Sequence, residues 1–252
     1  FNLSRKNTVL LLACGSTAAL AAVFKAPIAA IVFSIEVLML DLTSVALLPL
    51  LISAATGTVL STLFLGENVM FNESFTIPFK ISNIPFYLIL GIISGAVSVY
   101  FLRVLRTVEK IFAKIKKQYV RAIIGGLLLG VMILFFPVFY GEGYENLNTL
   151  LQGKSFSLFQ SSPFYPLLEN YHILFVVFLI GVILLKVIAT AVTTGAGGIG
   201  GAFAPSLFVG AFTGFLLVEV CNYYFKLNLP YINFILAGMA GVMAGVMHAP
   251  LT

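Results

Sequence analysis

Thr193-Thr194-Gly195-Ala196-Gly197-Gly198-Ile199-Gly200-Gly201-Ala202-Phe203-Ala204-Pro205 holds five glycines and no charged side chain. Apolar runs stand on both sides, at 171–192 and 202–221. Each is near the ~20 residues that cross a bilayer's hydrocarbon layer as a helix. Gly195, Gly197 and Gly200 satisfy the GxGxxG spacing of dinucleotide-binding turns, and Glu219 stands near the acidic position such sites use. That pattern needs a preceding strand within a βαβ unit, which flanks of membrane-span length exclude. Glycine instead lets backbone approach a ligand closely and take turns that other residues resist. Pro205 suits the first turn of a following helix, where its missing N–H costs nothing. The amides just ahead of it, at Gly200, Gly201, Ala202 and Phe203, then point out of a helix start carrying about half a positive charge. This pattern predicts an anion site built from neutral dipoles. Taking an ion out of water has an idealised cost of about 20 kcal/mol, and several partial charges can offset it while still releasing the ion. The alternative is a glycine-rich turn that only permits close packing.

Further apolar runs occur at 45–65, 84–102 and 121–140. The chain is 60% hydrophobic and 9% charged, with a mean hydropathy of +1.09. That is too few charges to cover a water-facing surface, so the expected class is an all-α, multi-pass membrane protein. Two shorter stretches are interrupted. Residues 8–24 run into Phe24-Lys25-Ala26-Pro27, and 231–247 run into Met247-His248-Ala249-Pro250. Each Ala-Pro marks a junction, since proline opens one helix and ends the one before. The two stretches align without gaps from Gly15 to Pro27 and from Gly238 to Pro250. Gly15/Gly238, Ala21/Ala244, Val23/Val246, Ala26/Ala249 and Pro27/Pro250 are identical. Paired interrupted segments are the mark of an internal repeat in many transporters, and their small residues suit tight helix packing. Because the chain opens on Phe1 and stops at Thr252 inside an apolar pattern, the expectation is an internal piece of a longer protein.

Charge placement gives orientation. Arg103, Arg106, Lys110, Lys114, Lys116, Lys117 and Arg121 fall in one connection against Glu109 alone. Loop 103–121 is therefore expected to be cytoplasmic. The acidic connections near 66–83 and 141–170 are expected outside. A topology signal explains the basic run better than nucleic-acid binding in this composition, so no nucleic-acid partner is expected.

Three blocks together resemble the CLC family of chloride channels and chloride/proton antiporters. Gly201-Ala202-Phe203-Ala204-Pro205 matches that family's GxFxP signature, which lines its anion pathway. Phe24-Lys25-Ala26-Pro27-Ile28-Ala29 with Phe33-Ser34-Ile35-Glu36 resembles the stretch after the gating segment. Ala237-Gly238-Met239-Ala240 through Thr252 resembles the late segment before the last helices. The resemblance covers essentially all of residues 1–252. It implies a partial CLC transmembrane domain with an inverted repeat of short, tilted and broken helices. The family's early gating segments would precede Phe1 and its last helices would follow Thr252. It also implies a homodimer with one pore per subunit, chloride as the transported ion, and amides of Ala202 and Phe203 at the central anion. In the antiporters the Phe-x-x-Glu motif is followed by a second glutamate that receives protons. Here that position is Val37, which cannot carry one. The resemblance thus leans towards a voltage-gated-type chloride channel, with a chloride/proton antiporter, or an exchanger of fluoride or nitrate, as the alternative. Glu36 or, less readily, Asp41 would be the substitute proton carrier.

Ionisable residues inside a membrane are functional candidates because they are costly there. Lys25 at the first junction is a pore candidate, though it can also snorkel to the interface. Lys186, deep in its span, is a second, and the family often has a basic residue there. Thr193 and Thr194 could serve the anion or cap a helix. His172 and His248 have no Ser, Cys or acidic partner at a recognisable spacing, which argues against an intramembrane enzyme. No metal cluster, cofactor or catalytic group is expected, and Cys14 and Cys221 sit in apolar surroundings. The expected partners are chloride, the lipid bilayer of the cell's inner or plasma membrane, and a second copy of the chain.

Overall fold

A computed structural model describes residues 4–38, 44–66, 80–153, 158–166 and 171–251. Asp41 lies outside the described residues. The described chain is helical, in two compact units: residues 1–74 with 247–252, and residues 75–246.

The first unit contains α1 (Arg5–Phe24), α2 (Pro27–Leu38) and α3 (Ser44–Leu65). Ser4 caps α1, its hydroxyl accepting from the Asn7 amide at 3.4 Å. Lys25 ends that helix in the left-handed region at φ 50°, and Pro27 opens α2 two residues later, as the Ala-Pro spacing predicts. The aligned residue His248 is left-handed too, at φ 56°. The two matching sequences therefore break their helices in the same backbone conformation. Ala13, Ala21, Ala30, Ile31, Leu50 and Ala54 form the unit's apolar core. Small side chains let the backbones close in: a Cβ on Gly57 of α3 would strike the Ala18 carbonyl. Buried hydroxyls pair across helices, with Thr17 donating to Ser34 at 2.7 Å and Ser61 to the Ala22 carbonyl at 2.7 Å.

The second unit holds α4 (Ile84–Ala113), α5 (Gln118–Phe135), the short α6 (Tyr144–Leu151), α7 (His172–Ala196), α8 (Phe203–Phe225) and all but the last residue of α9 (Tyr231–Met247). Helices α1, α4, α5, α7 and α8, with residues 46–65 of α3, are six segments long and apolar enough to cross a membrane. The apolar run read as 84–102 extends eleven residues further. Arg103, Arg106 and Lys110 lie on α4, and only residues 114–117 interrupt the path to α5. The basic connection is thus mostly helix, because Lys, Arg and Glu continue a helix after hydrophobicity stops. At ~1.5 Å per residue α4 is about 45 Å long, longer than the ~30 Å apolar layer. Its charged end therefore has room to stand outside it.

Helices α8 and α9 meet through glycine. A Cβ on Gly210 would strike the Gly238 carbonyl, and one on Gly214 the Phe234 carbonyl. The opposite ends of α7, α8 and α9 are joined by polar contacts. His172 Nε2 lies 3.1 Å from Glu219 Oε1, and the Tyr231 hydroxyl donates to Glu219 Oε2 at 2.8 Å. Tyr223 stacks on the His172 ring with centroids 3.4 Å apart.

Candidate functional site

Helix α7 ends where glycine permits it. Gly197 takes φ 96° and its amide bonds the Thr194 carbonyl at 3.1 Å, while the Gly198 amide bonds Thr193 O at 2.9 Å. These are the left-handed closing bonds of a helix C-terminus. The backbone is then released through exposed Gly198–Gly201. It re-enters a helix at Ala202, the N-cap of α8, whose carbonyl accepts from the Ser206 amide at 3.0 Å. Pro205 sits in that first turn. Ala202 supplies no capping oxygen. Among the described residues, the amides of Gly200, Gly201 and Ala202 donate no hydrogen bond. Beside this loop opens a cavity of about 460 Å³ whose lining includes Gly200, Gly201, Phe203, Pro205 and Lys186.

The structure thus brings four of the five proposed anion-site residues and Lys186 to one cavity, with Ala202 at the adjoining helix start. Lys186 is only 4% exposed. Its ammonium lies 4.7 Å from the Phe208 ring centroid and 5.8 Å from that of Phe139, at cation–π range. Tyr144 also lines this cavity. Burial, and then the Glu142 carboxylate, push its phenol above its usual titration range, which keeps its proton on at neutral pH. Thr193 and Thr194 do not cap a helix start. Their hydroxyls donate back into α7, to Ala189 O at 2.9 Å and to Ala191 O at 3.2 Å.

The candidates from the first junction belong to the first unit. The Lys25 ammonium donates to the Gly66 carbonyl just beyond α3, where a cation complements the negative helix end. Glu36 accepts from the Leu251 amide at 2.9 and 3.2 Å. Val37 is half-buried near the end of α2.

Sequence reasoning missed two features. His172 does have an acidic partner, but Glu219 is 47 residues away and on another helix, so no local spacing announces it. Arg121, grouped with the basic run, reaches the glycine loop: a Cβ on Gly197 would lie 3.3 Å from its guanidinium. Among the described residues, no cluster of His, Cys, Asp or Glu could hold a metal ion.

Apolar helices interrupted in pairs, with a glycine break between two spans, define an integral, multi-pass membrane protein. All of residues 1–252 match the family described as voltage gated chloride channel, and the chain belongs to that family, the CLC proteins. It is 30% identical over 247 residues to a ClcB-like protein of Ralstonia nicotianae, covering 96% of this chain and 52% of the relative. It is 27% identical over 250 residues to the voltage-gated ClC-type chloride channel ClcB of Escherichia coli, covering 98% and 55%. The crystal structure of a CLC-type fluoride/proton antiporter superposes with a TM-score of 0.68 at 26% identity, over 96% of this chain and 56% of that one. The chain spans about half the length of the curated relatives it matches.

Proposed function

We propose that this chain contributes the central anion site of a chloride channel, and that Gly200, Gly201, Ala202 and Phe203 present backbone dipoles to the ion at the start of α8. The observation that carries this is the set of amides at Gly200, Gly201 and Ala202, which serve no hydrogen bond among the described residues beside a cavity holding Lys186. Orphan N–H groups and the helix dipole act together there. Phe203 and Pro205 fix the start of the helix, and Lys186 adds a cation screened by aromatic faces. Neutral dipoles hold an anion loosely enough for rapid release. Val37 supports passive conduction over proton exchange. The antiport reading stays as a second one, favoured by the likeness to a structure named as a fluoride/proton antiporter. In either reading the working unit is proposed to be a homodimer of the full-length chain, with Lys25 and Glu36 as proposed pore or proton-path residues.

The test is Gly201→Val in the full-length protein, with chloride binding measured by calorimetry and folding by thermal melting. Among the described residues a Cβ at Gly201 would meet only the Phe203 nitrogen, at 4.0 Å, an ordinary contact, so folding should survive. A β-branched residue that restricts the loop should weaken chloride binding about tenfold or more, roughly 1.4 kcal/mol. Wild-type affinity in a folded variant would remove this site.

A further inference from the structure

Arg121 is misplaced by the rules of its own helix. It lies in the first turns of α5 (Gln118–Phe135), beside a positive helix end where cations are disfavoured. Its Nε is buried and, among the described residues, has no hydrogen-bond partner. A buried donor left unmet costs about 1–3 kcal/mol, so this position needs a compensating interaction. The guanidinium lies over Gly197, where the ideal Cβ position is 3.3 Å from a terminal nitrogen and 4.0 Å from Nε. Gly197 is the left-handed residue closing α7 (His172–Ala196), and four residues later the chain reaches the Gly201–Ala202 start of α8.

That contact bears on an electrostatic conflict within the loop. The start of α8 attracts an anion, but the end of α7, six residues earlier, carries about half a negative charge that repels one. A fixed cation at Gly197 offsets the repelling end and leaves the attracting end unopposed. Arginine suits this because it stays charged even when partly buried. Gly125 holds the two helices close, since Ala196 blocks a Cβ there, and Phe112 of α4, 3.1 Å from a Cβ on Gly195, packs against the same end of α7. The guanidinium is thereby kept at the loop.

We propose that Arg121 is a positioning residue for anion binding, a fixed charge that raises anion occupancy of the glycine loop by offsetting the carbonyl end of α7. This rests on the anion-site reading above. The full-length protein carrying Arg121→Gln should bind chloride about threefold to tenfold more weakly by calorimetry. Arg121→Lys, which keeps the charge and loses the fork, should stay within about twofold of wild type. Gly201→Val is run beside them. Loss of affinity in Arg121→Gln with recovery in Arg121→Lys supports the inference. A folded Arg121→Gln protein with wild-type affinity overturns it, and so does an Arg121→Lys protein as weak as Arg121→Gln, since the guanidinium would then act by packing. If Gly201→Val binds normally, the anion-site reading falls and this inference with it. If Gly201→Val fails to bind while Arg121→Gln binds normally, only this inference falls.

Discussion

Glu219 accepts the Tyr231 hydroxyl at 2.8 Å and pairs with His172 Nε2 at 3.1 Å, so one carboxylate ties together three helices, α7, α8 and α9. Its side chain and that of His172 are each 14% exposed, and Nδ1 of His172 is buried without a partner among the described residues. Removing the acceptor would strand a phenol and an imidazole together. Glu219→Leu in the full-length protein should therefore lower unfolding free energy by about 1–2 kcal/mol, the upper part of the range for polar contacts inside membranes. Glu219→Gln, which keeps one acceptor oxygen, should lose about half as much. Chloride affinity per folded molecule should be unchanged in both. Denaturation in detergent checks the first expectation and calorimetry the second; equal stability of Glu219→Leu and wild type would mean that the pair is idle. This cluster was illegible in the sequence because its members are far apart along the chain. The glycine loop was legible because everything it needs is local: glycines for the turn, Pro205 for the helix start, and apolar flanks for the setting.

Helices α8 and α9 depend on the absence of side chains where they cross. Gly210 and Gly214 face Gly238 and Phe234 so closely that any Cβ meets backbone. Backbone cannot rotate aside as a long side chain can. Replacing a helical glycine by alanine gains about 1 kcal/mol of intrinsic propensity, whereas overpacking a tight interface costs about 1–3 kcal/mol. At Gly214 the second effect should win, and Gly214→Ala should melt several degrees below wild type. Gly126 of α5 has nothing within 4 Å of a Cβ, so Gly126→Ala should melt at or above it. Thermal melts of both variants decide this, and the same sign for the two would refute the packing account. At this scale the sequence was read well where hydrophobicity alone sets the element. The runs at 45–65, 171–192 and 202–221 became α3, α7 and α8 within a few residues. It was read poorly for α4, where a change from apolar to basic residues looks like a loop although nothing in it breaks a helix. The matched Ala-Pro junctions were legible as breaks. Their shared left-handed residues, Lys25 and His248, were not, because a lysine gives no sign of that conformation and a histidine only a weak one.

Across the whole molecule the proposed function divides on coupling: whether chloride, the proposed ion, moves alone or against protons. The family was legible from three short blocks, since each sits at a backbone break where few residue types fit. Coupling was less so, because it depends on a chain of titratable groups rather than on one motif. Val37 has no titratable atom, and the carboxylate of Glu36 beside it is engaged with the Leu251 amide. The relatives span nearly twice the matched length, so the measurement belongs to the full-length protein in liposomes. If chloride moves alone, the voltage at which current vanishes should follow the chloride gradient at about 59 mV per tenfold ratio, the figure for a single charge. A pH difference across the membrane should then leave that voltage unchanged. If protons are exchanged, the slope should fall below that value and a pH difference should shift the zero-current voltage. An outward chloride gradient would also drive protons uphill, which a pH-sensitive dye inside the vesicles reports. Val37 predicts the first pattern; a pH-dependent shift would transfer the chain to the antiporters, with Glu36→Gln, expected to abolish that shift, as the next variant to measure.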